Sequence, residues 1–156
     1  LEPNPGMIRL AGEQRRHTTL DIEFLDLPGE RIPRADACID AVVSTFTLCT
    51  LPDPARALRD IRRVLKPDGH FLFLEHGRSD DPLTARWQDR LNPLQHLLAC
   101  GCNLNRRIDR LVQDAGLQLE QLDRYCLPGV PRIGGEMYRG TARVNEQPSL
   151  HSSLDT

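Results

Sequence analysis

Glu75-His76 is the pair of residues in this chain whose types and position are best suited to chemistry. It follows an uninterrupted apolar run, Phe71 to Leu74, which places both side chains at the end of a buried strand. A histidine ordinarily titrates near neutral pH, so His76 can take a proton from an incoming group, with Glu75 beside it to bind or orient that group. The plainer alternative is a histidine that hydrogen-bonds the nearby loop. Ser44-Thr45 holds the equivalent place after a second apolar run, Ile39 to Val43. Glu2 is a further candidate: a carboxylate at a strand tip can accept both hydroxyls of a ribose, and a helix start at Asn4-Pro5 follows it directly. Its plainer alternative is a solvated terminal glutamate.

The elements that must position these groups can be read around them. Ile39–Val43 and Phe71–Leu74 do not alternate, as expected of strands in a parallel sheet covered on both faces. Between them Asp53 can cap a helix with Pro54 at its first position. Leu58, Ile61 and Leu65 make that helix's inner stripe, and Pro67-Asp68-Gly69 is its expected stop. This strand–helix–strand unit offers ligands the carboxyl ends of its strands.

Outside the unit, Asn4-Pro5 starts a helix with Met7, Leu10 and Ala11 inward, and Leu20–Leu25 alternates like a strand near a sheet edge. Trp87, Leu91, Leu94 and Leu98 form an apolar helical stripe that Pro93 should kink or split. Most such stripes are core. Because this one follows directly from Glu75-His76, it could instead cover an acceptor or lie on a membrane surface, with Arg78, Arg86 and Arg90 favouring headgroups and Asp80, Asp81 and Asp89 opposing them. Asn105 is the expected cap of a helix closed by Gly116; Leu117–Leu127 and Glu136–Val144 read as two late strands; residues 145–156 read as a disordered polar tail. The result is one domain over residues 1–144, doubly wound α/β and Rossmann-like.

Composition narrows the function classes. A net charge of −2 without a basic block gives no reason to expect a nucleic-acid partner. No apolar run reaches the roughly 20 residues of a membrane span. Lys66 is the single lysine among 20 basic residues, which excludes a complete G-x-x-x-x-G-K loop. Tyr125 and Tyr138 are followed four residues on by Gly129 and Ala142, so the Tyr-x-x-x-Lys pair of short-chain dehydrogenases is absent too. Cys38, Cys49, Cys100, Cys102 and Cys126 contain no CxxC pair, and Cys100-Gly101-Cys102 is too tight for common zinc spacing. The expectation is free or buried thiols in a reducing cytoplasm, with no metal site.

The segments LEPNPGM, IDAVVSTFTLCTLPDP and IRRVLKPDGHFLFLEHG, with the late strand pair, resemble the class I S-adenosylmethionine-dependent methyltransferases, closest to the ubiquinone and menaquinone biosynthesis group. The Arg86–Arg106 stretch is similar to the corresponding segment of mammalian thiol S-methyltransferases. The resemblance implies a mostly parallel sheet with a reversed last strand, lacking its first strand and the Gly-rich loop that wraps methionine. It implies S-adenosylmethionine as cofactor, with Glu2 on the ribose and Pro3 at the adenine pocket. Where many relatives carry an Asp-Ala pair on adenine, Pro28-Gly29 stands here, which leaves only the backbone N–H of Gly29 or Glu30. Ser44 and Thr45 would lie beside the methionine moiety. His76 would be the base, and Glu75, Trp87 and Leu91 would face a small hydrophobic acceptor: a thiol, a quinol-like ring or a lipid-like molecule.

A nicotinamide-dependent oxidoreductase and a non-catalytic methyltransferase-like remnant are the alternatives. The remnant is favoured by Pro28 and by the absent first strand. Without that strand, which lies between the second and fourth in this superfamily, Ile39–Val43 should show an unpaired edge, and the isolated piece should bind cofactor weakly. Partners are expected to be small molecules, with peripheral membrane contact at most.

Overall fold

The computed structural model describes residues 5–25, 30–99 and 101–144. Helix α1 spans Pro5–Arg15, strand β1 Ile39–Thr45, α2 Pro54–Val64 and β2 Leu65–His76. They are followed by α3 at Pro82–Leu98, α4 at Ile108–Asp114, β3 at Leu117–Cys126, the short α5 at Arg132–Gly135 and β4 at Glu136–Val144. The sheet order is β1-β2-β4-β3. β1 and β2 pair in parallel, while β4 runs antiparallel to both β2 and β3, so β4 alone is reversed. β1 is an edge strand of this sheet, as the resemblance implied.

α2 forms as its sequence dictates. Asp53 accepts the Arg56 N–H at 2.9 Å, Pro54 opens the helix, and Ala57, Leu58, Ile61 and Val64 are buried. That stripe meets Phe71, Phe73, Ile108, Val112, Leu117, Tyr138 and Ala142 in one core, on the sheet face that α2 and α4 share.

Several expectations are corrected. α2 ends at Val64, before Pro67-Asp68-Gly69, because Leu65 already has extended backbone and pairs with Ile39. Residues 66–69 then form an irregularity in β2, since Ala41 pairs with His70. Lys66 Nζ secures this stretch by donating to Asp40 Oδ1 at 2.6 Å. Leu20–Leu25 is not a strand: despite its alternation it pairs with neither edge of the sheet, β1 or β3. Arg107, not Asn105, occupies the N-cap position of α4 and makes no side-chain cap bond, while the Asn105 amide donates to Asp89 Oδ1. Burial on β2 alternates despite its continuous apolar run, with Phe71 and Phe73 inside and Leu72 39% exposed. The second sheet face is therefore open among the described residues, and α1 buries none of its residues.

α3 departs furthest from its sequence pattern. It runs through Pro93 unsplit, and its buried residues are Thr84, Ala85 and Gln88. Trp87, Leu91, Leu94 and Leu98 are exposed, so the reading of that stripe as core fails. The inner face is polar because it lies on loop backbone that requires hydrogen-bond partners. Gln88 accepts the Ser79 N–H at 2.8 Å and donates to the carbonyls of Gly77 and Ile133, both at 3.1 Å. Asn92 accepts the Leu104 N–H at 2.8 Å.

Gly140 shows how closely β4 packs. A Cβ there would fall 2.5 Å from Phe73 Cζ and 2.7 Å from the Gln121 carbonyl oxygen. Gly140→Ala should therefore destabilise the fold by about 1–3 kcal/mol, read as a lower guanidinium unfolding midpoint at unchanged slope.

Candidate active site at the strand ends

Glu75 and Ser44 sit side by side at the carboxyl ends of β2 and β1, and the loop leaving β1 folds over them. Glu75 is fully buried. Its Oε1 accepts the Ser44 hydroxyl at 2.7 Å and the Thr47 N–H at 3.1 Å, while Oε2 accepts the Cys49 N–H at 3.2 Å. Both oxygens are thus engaged by the chain itself. The expectation that Glu75 faces the acceptor gives way to a positioning role, and the Ser44 hydroxyl belongs to the same clamp. Thr45 is exposed beside it.

The clamped loop is held from its other side as well. Arg106 Nη1 donates to the carbonyls of Leu48 at 2.6 Å and Leu51 at 2.7 Å, and burial pushes its pKa down. Asn103 donates to the Cys49 carbonyl through its backbone N–H at 2.8 Å and its side-chain amide at 3.0 Å. Gly101 makes this approach possible by turning at φ +88°, in the left-handed region. Phe46 is a non-glycine residue at φ +51°, a conformation that costs of order 1–3 kcal/mol and persists where surroundings impose it. Its ring lies 5.0 Å from that of His76, tilted at 52°.

His76 is half-buried. Its Nδ1 lies 3.7 Å from Cys102 Sγ, and one donor atom from each of Cys49, His76 and Cys102 falls within 4.8 Å of the others. The hydrogen bond between the two thiols pushes the Cys49 pKa up, as burial does, and pulls that of Cys102 down against the effect of burial. The sequence reading missed this group. Its members come from three separate segments, so no local spacing announces it, and Cys100-Gly101-Cys102 drew attention to the wrong pair. The available signal was Asn103, two residues after Gly101, a residue type able to bind backbone across a loop.

The remaining expected site residues lie apart. Leu91 lines a cavity of about 320 Å³ with Leu94, Gln95, Leu98, Leu104 and Ile133. Trp87 lines a separate depression with Leu83, Arg86 and Arg90. Glu30 is half-buried at a turn, and Glu2, Pro3 and Gly29 lie outside the described residues. A further cavity of about 290 Å³ follows the open edge of β1, lined by Ile32, Val42, Ser44, Thr47, Leu48 and other apolar residues.

Comparison with known proteins supplies the context for this arrangement. A methyltransferase-domain family profile matches residues 1–73. The human thiol S-methyltransferase TMT1A is 34% identical over 134 residues, covering 82% of this chain and 54% of that protein. In sequence and in fold alike, the chain is similar to S-adenosylmethionine-dependent methyltransferases. A ubiquinone/menaquinone biosynthesis C-methyltransferase UbiE, from Acidiphilium cryptum, is 36% identical over 92 residues, 54% of this chain and 36% of that protein. A solved S-adenosylmethionine-dependent methyltransferase from Methanosarcina mazei shares the fold at a TM-score of 0.67 and 16% identity, over 92% of this chain and 79% of that one. The chain thus spans about half the length of the thiol S-methyltransferase it matches. These likenesses favour methyl transfer over the nicotinamide alternative.

Glu75→Gln should loosen the clamp, because an amide NH2 must then face a backbone N–H or the Ser44 hydroxyl. A loss of about 1–3 kcal/mol is expected, with faster hydrogen exchange at the Thr47 and Cys49 amides than at those of β2.

Proposed function

We propose that this chain forms part of an enzyme that moves a methyl group from S-adenosylmethionine to a small hydrophobic acceptor bearing a soft nucleophile, a thiol foremost. The observation that carries this reading is the apolar cavity under Leu91, Leu94 and Leu98, whose wall includes Leu104. Leu104 follows the loop that carries Cys102 against His76. The similarity to thiol S-methyltransferases supports the choice of acceptor.

The described residues fit one side of the cofactor. The groove along β1 joins apolar Ile32, Val42 and Leu48 to polar Ser44 and Thr47, a mixed lining suited to a nucleoside with an amino-acid tail. Ser44 contributes there through its backbone and through the clamp, since its hydroxyl is bound to Glu75. In this reading Glu2 and Pro3 hold the ribose and adenine, with the Gly29 or Glu30 N–H beside them. When bound, S-adenosylmethionine supplies a methyl on a positively charged sulfur. The chain's part is then to align the acceptor in line with that methyl and to remove its proton.

His76 carries the second task. Its Nδ1 is turned to Cys102, so Nε2 is the nitrogen left to receive the acceptor's proton. Phe46 packs on the imidazole and steadies it. Leu91 lines the acceptor's cavity, and Trp87 lies further along the same exposed face. Among the described residues no helix is long and apolar enough to cross a membrane. A cytoplasmic setting is part of this reading, supported by the free thiols Cys38, Cys49, Cys102 and Cys126.

In the full-length protein, His76→Ala should lower turnover of an alkyl thiol by about 10²–10⁴-fold and leave cofactor affinity unchanged. Unaltered turnover would remove His76 from the mechanism.

A further inference from the structure

We propose that Cys49, His76 and Cys102 form a zinc(II) site with one coordination position left open. A tetrahedral zinc ion with Zn–S near 2.3 Å and Zn–N near 2.0–2.1 Å holds neighbouring donor atoms about 3.5–3.8 Å apart. Cys102 Sγ and His76 Nδ1 stand 3.7 Å apart, and all three donors lie within 4.8 Å of one another. Small side-chain rotations therefore suffice to close the set around an ion.

The frame beneath these donors is built without the metal. Cys49 is fixed at its N–H by Glu75 and at its carbonyl by Asn103. Asn103 also donates to the Gly101 carbonyl at 2.9 Å, which locks the turn that presents Cys102. His76 is anchored in β2 by its pairing with Met137. Each ligand thus comes from a different segment, and the Glu75 and Asn103 hydrogen bonds that join those segments leave the donor atoms free to turn to an ion.

Charge and donor type agree on the ion. Two thiolates and a neutral imidazole neutralise a divalent cation, while the nearby Glu75 carboxylate and Arg106 guanidinium offset each other. Sulfur and imidazole donors suit zinc and disfavour magnesium or calcium. Three protein ligands leave a fourth position for water or an exogenous thiol, as in zinc sites that stay open.

The site bears on the proposed role of His76. An imidazole that holds a metal through Nδ1 carries its hydrogen on Nε2 and cannot accept a proton there. Metal occupancy and the base role therefore exclude each other at any one time. The existence of the site does not rest on the methyl-transfer reading, and the two can fail separately. If zinc-loaded full-length protein turned over as fast as the metal-free form, the base role would fall and the metal site would stand.

The test is titration of the full chain with zinc(II) against a chromophoric chelator, repeated with cobalt(II) as the spectroscopic probe. One equivalent should bind, and cobalt should give a thiolate-to-metal charge-transfer band. Cys49→Ser and Cys102→Ser should each weaken zinc binding at least about tenfold, the least that even an outer-shell change costs. Cys102→His should retain binding, because an imidazole replaces the lost donor. Cys38→Ser and Cys126→Ser, which lie outside the group, should bind as the unsubstituted chain does, and circular dichroism checks that each variant folds. Failure to saturate at one equivalent would overturn the site, as would unweakened binding by a folded Cys102→Ser. Finding Cys49 and Cys102 joined as a disulfide in freshly isolated protein would overturn it too.

Discussion

The buried Glu75 carboxylate is the contact on which the ordered strand ends depend. An ionised carboxylate inside a protein costs several kcal/mol unless its oxygens are satisfied. Here the partners are the Ser44 hydroxyl and the amides of Thr47 and Cys49, all from the segment that leaves β1. The penalty of burial therefore becomes a restraint, since that segment must wrap the carboxylate. Phe46 is forced into a left-handed conformation over His76, and Cys49 is delivered to the neighbourhood of Cys102. Arg106 ties off the same loop at Leu48 and Leu51. The site is thus organised from below, by a residue that does not itself face outward.

The same logic explains α3. A helix laid on a sheet buries an apolar stripe, but α3 is laid on loops, whose N–H and C=O groups need partners. Gln88 and Asn92 meet that need, and Arg78 ties the start of the element to Asp89 through two hydrogen bonds of 2.6 and 2.8 Å. The apolar stripe is consequently turned outward, where Leu91, Leu94 and Leu98 line the cavity assigned to the acceptor. Holding α3 through polar contacts is what leaves a greasy surface free to bind something else.

Much of the fold was legible in the chain. The Asp53-Pro54 cap and the Leu58–Ile61 stripe define the start and the buried face of α2 through local preferences. The late strands were legible because both segments are bounded by glycine or proline and hold apolar residues at strand spacing, as Leu117 and Leu119 do. The failures share one cause. The boundary at Leu65, the missing strand at Leu20–Leu25 and the orientation of α3 all depend on what lies across the gap, and a sequence window does not contain that.

The candidate site divides along the same line. That a glutamate and a histidine close an apolar strand is a property of the sequence, and so is the family signature around them, because both are written in consecutive residues. That Glu75 turns inward while His76 stands half-exposed follows from the alternation of a strand, once the tertiary structure decides which face is covered. The meeting of Cys49, His76 and Cys102 was decided by tertiary structure alone. Three segments far apart in the chain converge there only because the Glu75 clamp and the Asn103 bridge bring them together.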